Sequence, residues 1–407
     1  KNEVTSFEGN YNADNELGYE DNIIFPSGTS DPLTISDWEW MFEAFEKAID
    51  ERGWANDSGA YCTTVYYMGF MMTGDLVSSF GGGTGQYCVK DGEVSFDGNS
   101  ENFKAYLEFL NAWYEKGWLD SEFNTRAGDI FFNINSAGIA QGKIGLWDGQ
   151  SSRLGTSIRQ TCQNEEDVKD AFVMGAALPI NDVYGGEGQM YKEPDALYQA
   201  SRKGTATGIT TKAEDKDLAA LFTFFDWTYT HEGALVIRNG LNEEQYTSME
   251  FDPDFYAERN LKSAYTVSTD EDGRTVYSRA IDSSDPAVNA LNGQRMSVGL
   301  GMQSSDEYRL DTGTPALNRK AVEQWTKYLN TGSTMDYTEL LNVEETEAYN
   351  KVSTALTDYQ SQNVPNVIKG TMSWEDYVKG LENINPDSAV EYLQKYVELT
   401  NTAREAK

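Results

Sequence analysis

Short apolar runs alternate with amphipathic segments along this chain, and glycine or proline punctuates most of their ends. That punctuation constrains the fold more than any bulk property. Residues 36–52 place Trp38, Phe42, Phe45 and Ile49 at helical spacing, with Ser36 and Glu39 as a capping box and Gly53 at the end. Residues 100–116 repeat the pattern, with Phe103, Leu107, Leu110 and Tyr114 on one face and Gly117 closing it. Other runs suit only short strands. Residues 87–89 and 94–96 flank an Asp91-Gly92 hairpin turn. Residues 142–147 read as a turn and a short buried strand ended by Asp148-Gly149, and residues 172–178 as a strand ended by Pro179. Strands this short need helices to cover them, so the pattern predicts an α/β fold with a helical C-terminal end.

The remaining segments fit that class. Residues 1–30 form a polar lead-in with one short strand at Ile23-Ile24-Phe25. The aromatic, Met-rich stretch 61–80 predicts a further helix before Gly81. Residues 205–210 predict a strand leading into a helix over about 215–229, and Asp270-Glu271-Asp272-Gly273 a hairpin. Beyond Pro315 the pattern is mostly helical. One helix starts at Thr314-Pro315; others span about 343–363, 374–381 under a Ser373 cap, and about 387–400.

Charge and rare residues exclude several functions. The chain has 407 residues, with 32 Lys and Arg against 66 Asp and Glu, a net charge of −34. Nucleic acid and anionic membrane surfaces both need a basic face, so neither is an expected partner. The length suits two or three domains at about 100–200 residues each. The single histidine, His231, rules out a multi-histidine zinc site within one chain. In Asp226-Trp227-Thr228-Tyr229-Thr230-His231 it is expected at a helix C-terminus, where the macrodipole favours a cation. Cys62, Cys88 and Cys162 form no CxxC pair; Cys62 and Cys88 either pair in an exported protein or stay as separate thiols. The run Gly81-Gly82-Gly83-Thr84-Gly85 lacks the Lys-Ser/Thr of a phosphate loop and reads as a turn. Asp270–Gly273 lacks the ligand spacing of a calcium loop. No cofactor and no metal are expected.

Five segments in order carry a family resemblance. Pro32-Leu33-Thr34-Ile35-Ser36-Asp37-Trp38 resembles the start of a second-lobe helix. Lys90-Asp91-Gly92-Glu93-Val94, with the helix that follows and Leu119-Asp120, resembles a second stretch. Ala140-Gln141-Gly142-Lys143-Ile144-Gly145-Leu146-Trp147 resembles a strand and loop, and Gly208-Ile209-Thr210 through Glu232-Gly233 a strand–helix unit. Ile368-Lys369-Gly370, Trp374-Glu375-Asp376-Tyr377 and Tyr392-Leu393-Gln394-Lys395-Tyr396 resemble a C-terminus. Together they resemble the family 1 extracellular solute-binding proteins of ABC importers, carbohydrate binders such as maltodextrin-binding protein, and more closely the long lipoprotein subgroup of Gram-positive bacteria.

The resemblance implies a two-lobed, type II periplasmic-binding-protein-like α/β fold. It places the end of the first lobe in residues 1–30, the second lobe in 31–190, a first-lobe return in 191–250 and the rest of the second lobe in 251–407. So little chain precedes the second-lobe motif that the first lobe is expected to be either incomplete here or unusually built. A carbohydrate, expected to be an oligosaccharide, would close between the lobes and pass unaltered to the permease subunits in the membrane. The expected protein is a monomeric, non-enzymatic cell-surface lipoprotein whose anchor lies outside this chain.

Sugar recognition needs aromatic faces and hydrogen-bonding groups at a cleft. Tyr66 and Tyr67 match a ligand-stacking segment, and Trp147, Asp148 and Gln150 a loop after a strand. Arg153 follows closely, and Tyr198 and Arg202 are candidates for the opposing wall. Two other classes compete. A glycoside hydrolase would use two carboxylates, and a cell-surface glycan-binding module would bind without transport.

Overall fold

The computed structural model describes residues 25–29, 32–65, 76–81, 85–90, 92–125, 138, 141–147, 179–186, 209–248, 258, 262–269, 273, 275–280, 286 and 342–405. These fall into two compact units. One lies within Lys1–Ala200 and Lys320–Lys407, the other within Ser201–Arg319.

The first unit opens with helix α1 (Ile35–Glu51), shifted by one residue from the expected 36–52. Its capping box is Thr34 with Asp37, not Ser36 with Glu39. The physical reason is the Asp37 carboxylate. It is fully buried and accepts the backbone amides of Ser27 (2.9 Å), Leu33 (2.8 Å) and Thr34 (3.1 Å). The Ser36 amide goes instead to Asp182 Oδ1 at 3.0 Å. Gly53 closes the helix at φ 74°, a left-handed conformation that costs glycine little.

The strands of this unit are β1 (Tyr61–Thr63), which packs on α1, β2 (Tyr87–Lys90), β3 (Glu93–Phe96) and β4 (Ile144–Leu146). β1 and β4 run parallel, with Tyr61 opposite Ile144 and Thr63 opposite Leu146. On the other side of β1, Thr63 bridges to Leu119, also parallel. The helix expected from residue 61 is therefore a strand at its start, and Leu76–Phe80 is a 3-10 turn. The parallel 118–120 segment satisfies both the amide and the carbonyl of Thr63, through Trp118 O (2.9 Å) and Asp120 N (2.8 Å). That pairing overrides the helical spacing of the aromatics. The sheet lies so close to α1 that Gly145 has no room for a side chain. A Cβ there would overlap the Phe45 ring and meet Cys62 O at 2.6 Å.

β2 and β3 form the expected antiparallel hairpin, Lys90 opposite Glu93, with Gly92 at φ 84°. Helix α2 (Glu101–Glu115), capped by Ser100, buries a broader face than the expected stripe. Phe103, Tyr106, Phe109 and Trp113 are all below the surface, while Tyr114 is half-buried. Phe109 lies 4.0 Å from the Trp113 ring, and Phe42 of α1 meets Trp113 edge-on at 4.8 Å. Each fully buried aromatic of this kind contributes about 1.5–3 kcal/mol.

The C-terminal helices complete this core. Helix α6 (Val343–Ile368) runs past the expected end near residue 363 and through Pro365. A proline inside a helix costs about 3 kcal/mol. Burial of Val364, Pro365 and Ile368 offsets that cost. Helix α7 (Trp374–Glu382) carries the expected Ser373 cap on Asp376 N at 3.0 Å, and α8 (Val390–Glu405) follows a 3-10 turn at Pro386–Ala389. Tyr87 donates to Pro386 O (3.0 Å) and Val94 N to Gln394 Oε1 (2.8 Å), tying the hairpin to this end of the chain.

The second unit contains helices α3 (Leu218–Thr228), α4 (His231–Asn239) and α5 (Glu243–Thr247), and the antiparallel pair β5 (Tyr265–Thr269) and β6 (Thr275–Arg279). The hairpin falls where Asp270–Gly273 places it. Of the strand expected over 205–210, residues 205–208 lie outside the described residues; Ile209 and Thr210 are not in a strand, and a 3-10 turn follows at Thr211–Ala213. His231 is also corrected. It is the first residue of α4, not the end of α3, because Thr230 caps a new helix by accepting Gly233 N at 3.1 Å. Leu218, Phe222, Phe224 and Tyr229 along α3 are exposed.

Candidate functional site

In parallel sheets, side chains and loops at the C-terminal ends of the strands converge on one edge, where ligands bind. Here that edge is built by β1, β4 and the 118–120 segment. β1 leaves it through Thr64 and Val65, β4 through Trp147, and the third segment through Asp120. Neighbouring strands are spaced about 4.8 Å apart, so the three exits lie within about 10 Å of one another.

Trp147 follows β4 immediately and is half-buried. It is the one sequence-predicted site residue within the described part of the chain. Tyr66, Tyr67, Asp148, Gln150, Arg153, Tyr198 and Arg202 lie outside the described residues.

Two polar residues at the same edge escaped the sequence reading. Thr64 is buried, and its hydroxyl donates to Asp120 Oδ2 at 3.4 Å. Asp120 is 2 % exposed, and its Oδ1 accepts Glu122 N at 3.0 Å. Reading 61–80 as a helix hid Thr64, because only a strand ending at Thr63 brings it to the edge. The signal for Asp120 was the short apolar pair Trp118-Leu119 between a helix-closing glycine and an acid.

The edge is fixed from behind. Cys62 sits between β1 and α1 as a buried free thiol, its Sγ 3.5 Å from Phe42 O. Burial, with help from the Glu46 and Asp50 carboxylates, pushes the thiol pKa up to about 12. The opposite end of β4 is held by Lys143, whose Nζ lies 2.8 Å from Asp57 Oδ2 and 5.5 Å from the Trp54 ring. Among the described residues, no group of three or more His, Cys, Asp and Glu is placed to hold a metal ion. None of the described helices is long and apolar enough to cross a membrane.

Neither a protein-family model nor a curated protein sequence matches the chain. Solved structures do. The S. pneumoniae ABC-transporter substrate-binding protein FusA in complex with kestose is 18 % identical, with a TM-score of 0.52 over 93 % of this chain and 70 % of that one. The alginate-binding protein AlgQ2 without calcium ion is 16 % identical, with a TM-score of 0.54 over 90 % and 68 %. An HMO-binding ABC-transporter-associated solute-binding protein from Bifidobacterium longum infantis is 13 % identical, with a TM-score of 0.58 over 92 % and 71 %. At these identities the likeness concerns the fold. The chain is a mixed α/β protein with the fold of the ABC-transporter substrate-binding proteins.

Proposed function

We propose that this chain is the extracellular substrate-binding component of an ABC transporter and that it captures a carbohydrate. The observation that carries the reading is the shared fold. The structures it resembles are described as binding kestose, alginate and HMO. The residue chemistry supports a sugar ligand. An indole face at the strand edge suits the C–H face of a pyranose or furanose ring, and hydroxyls need polar partners that are not left unpaired on closure.

In this reading the ligand lies between two lobes and is held in a closed state that the membrane permease recognises, because only that state contacts both walls. Trp147 stacks on the sugar, with Asp148, Gln150, Tyr66, Tyr67 and Arg153 on the same wall and Tyr198 and Arg202 opposite. The lobes follow the boundaries implied by the family resemblance. The protein acts as a monomer, is tethered as a lipoprotein outside the cell, and releases its ligand chemically unchanged.

The test is titration calorimetry against kestose, an alginate oligosaccharide and an HMO panel, followed by chromatography of the recovered sugar. One class binding with a one-to-one stoichiometry and returning intact supports the proposal. Absence of binding across the panel, or cleaved product, overturns it.

A further inference from the structure

We propose that Asp120 is a positioning residue for the binding edge, acting through the Thr64 hydroxyl to set the direction in which the chain leaves β1. This rests on reading the C-terminal strand edge as the sugar-binding edge.

β1 is three residues long, and its pairing with the 118–120 segment ends with the two backbone bonds at Thr63, to Trp118 O (2.9 Å) and from Asp120 N (2.8 Å). One residue further on, the Thr64 hydroxyl reaches Asp120 Oδ2 at 3.4 Å and carries the connection past the end of the ladder. The carboxylate serves two donors at once. Oδ2 faces the hydroxyl and Oδ1 faces Glu122 N at 3.0 Å. An amide in its place offers one acceptor oxygen and turns an NH2 toward a donor.

Asp120 is itself held by rigid neighbours. Phe123 N donates to Asp120 O at 3.1 Å, which closes the turn after it. Lys369, at the end of α6, donates to Asn124 Oδ1 at 2.6 Å and lies 5.4 Å from the Phe123 ring. Asn111 of α2 caps α6 through Ile368 O at 2.9 Å. A site is accurate only when the groups behind it are locked by packing and hydrogen bonds. Here that support runs from α2 and α6, through the 121–125 turn and Asp120, to the exit of β1.

The experiment compares Thr64→Val, Thr64→Ser and Asp120→Asn in the full chain. It uses amide hydrogen exchange of peptides covering Val65, and calorimetry with whichever of kestose or the alginate oligosaccharide binds the wild type more tightly. Thr64→Val and Asp120→Asn are expected to speed exchange at Val65 and to weaken sugar binding about tenfold. Thr64→Ser is expected to restore both, with exchange in α2 and α6 unchanged in all three. The proposal is overturned if Thr64→Val exchanges like the wild type, if Thr64→Ser behaves like Thr64→Val, or if the faster exchange spreads through α2 and α6. A wild type that binds no sugar overturns the proposed function instead, and the exchange data then judge the Asp120 link by themselves. Thr64→Val keeps the test valid should Asp120→Asn fail to fold.

Discussion

Gln360 of α6 donates its side-chain amide to the carbonyl of Gly85, 275 residues away, at 2.6 Å. The same nitrogen reaches Tyr377 OH at 3.2 Å, and the side chain is wholly buried. One amide thus joins the glycine run to two C-terminal helices. Removing it strands the Gly85 carbonyl, a buried acceptor whose loss of partner costs about 1–3 kcal/mol. Gln360→Ala is expected to lower the stability of the first unit by about that much, plus a cavity contribution. Denaturant unfolding followed by tryptophan fluorescence, which reports the Trp113 and Trp118 core, checks this.

Gly145 is a second point where backbone approach decides the outcome. With Phe45 and Cys62 O against it, an added methyl must push β4 away from α1 and β1. Overpacking of this kind costs about 1–3 kcal/mol. Because Trp147 follows two residues on, Gly145→Ala is expected to displace the indole as well. The expected result is a lowered Tm together with weakened sugar binding, measured by scanning calorimetry and titration on one preparation.

Much of this fold was legible in the sequence because local and tertiary signals agree. Gly92 and Gly117 mark chain reversals that the structure contains, and Ser373 with Asp376 forms the expected cap. The failures occur where a long-range partner outbids a local one. Ser36 and Glu39 make a sound capping box on paper, but Glu39 is taken by Trp113 Nε1 at 2.9 Å and by the Tyr184 hydroxyl, from elements remote in sequence. Burial, and then the Glu39 hydrogen bond, push the Tyr184 hydroxyl well above the usual phenol range. Thr63 and Thr64 look helical until the parallel partners at 118–120 and 144–146 are known. At the candidate edge, the strand-then-loop pattern marks the exit of β4 at Trp147 in the sequence, whereas the proximity of Thr64 and Asp120 is unmarked, since it depends on the register of a three-residue strand.

Two ion pairs give a pH dependence with a definite sign. Lys143 beside Asp57, and Lys395 beside Glu345, hold both carboxyls below their usual range, mainly through the side-chain hydrogen bond. A carboxyl with a depressed folded pKa binds fewer protons in the native state. Its contribution is therefore present above the unfolded pKa and is lost as pH falls through the folded one. Both pairs are partly exposed to solvent, so the effect is small and weakened by salt. Carbon NMR titration is expected to show Asp57 and Glu345 titrating below ordinary aspartate and glutamate, with Lys143→Met raising Asp57 and leaving Glu345 unchanged.

The Cys62 thiol, pushed up to about 12 by burial, is expected to be inert in the folded protein. In a Cys88→Ser, Cys162→Ser background, a chromogenic disulfide reagent at pH 8 should label nothing until denaturant is added. Prompt labelling of the native protein would show that β1 does not pack against α1 as described.

The most direct measurement of the central claim is titration calorimetry of Trp147→Ala against the oligosaccharide that the wild type binds, paired with its melting curve. An indole stacked on a sugar at the strand edge predicts a loss of affinity of at least about tenfold, with Tm nearly unchanged because the ring is only half-buried. Unaltered affinity would contradict the account, and so would a collapse in Tm, which would make Trp147 a core residue and leave this edge without its ligand face.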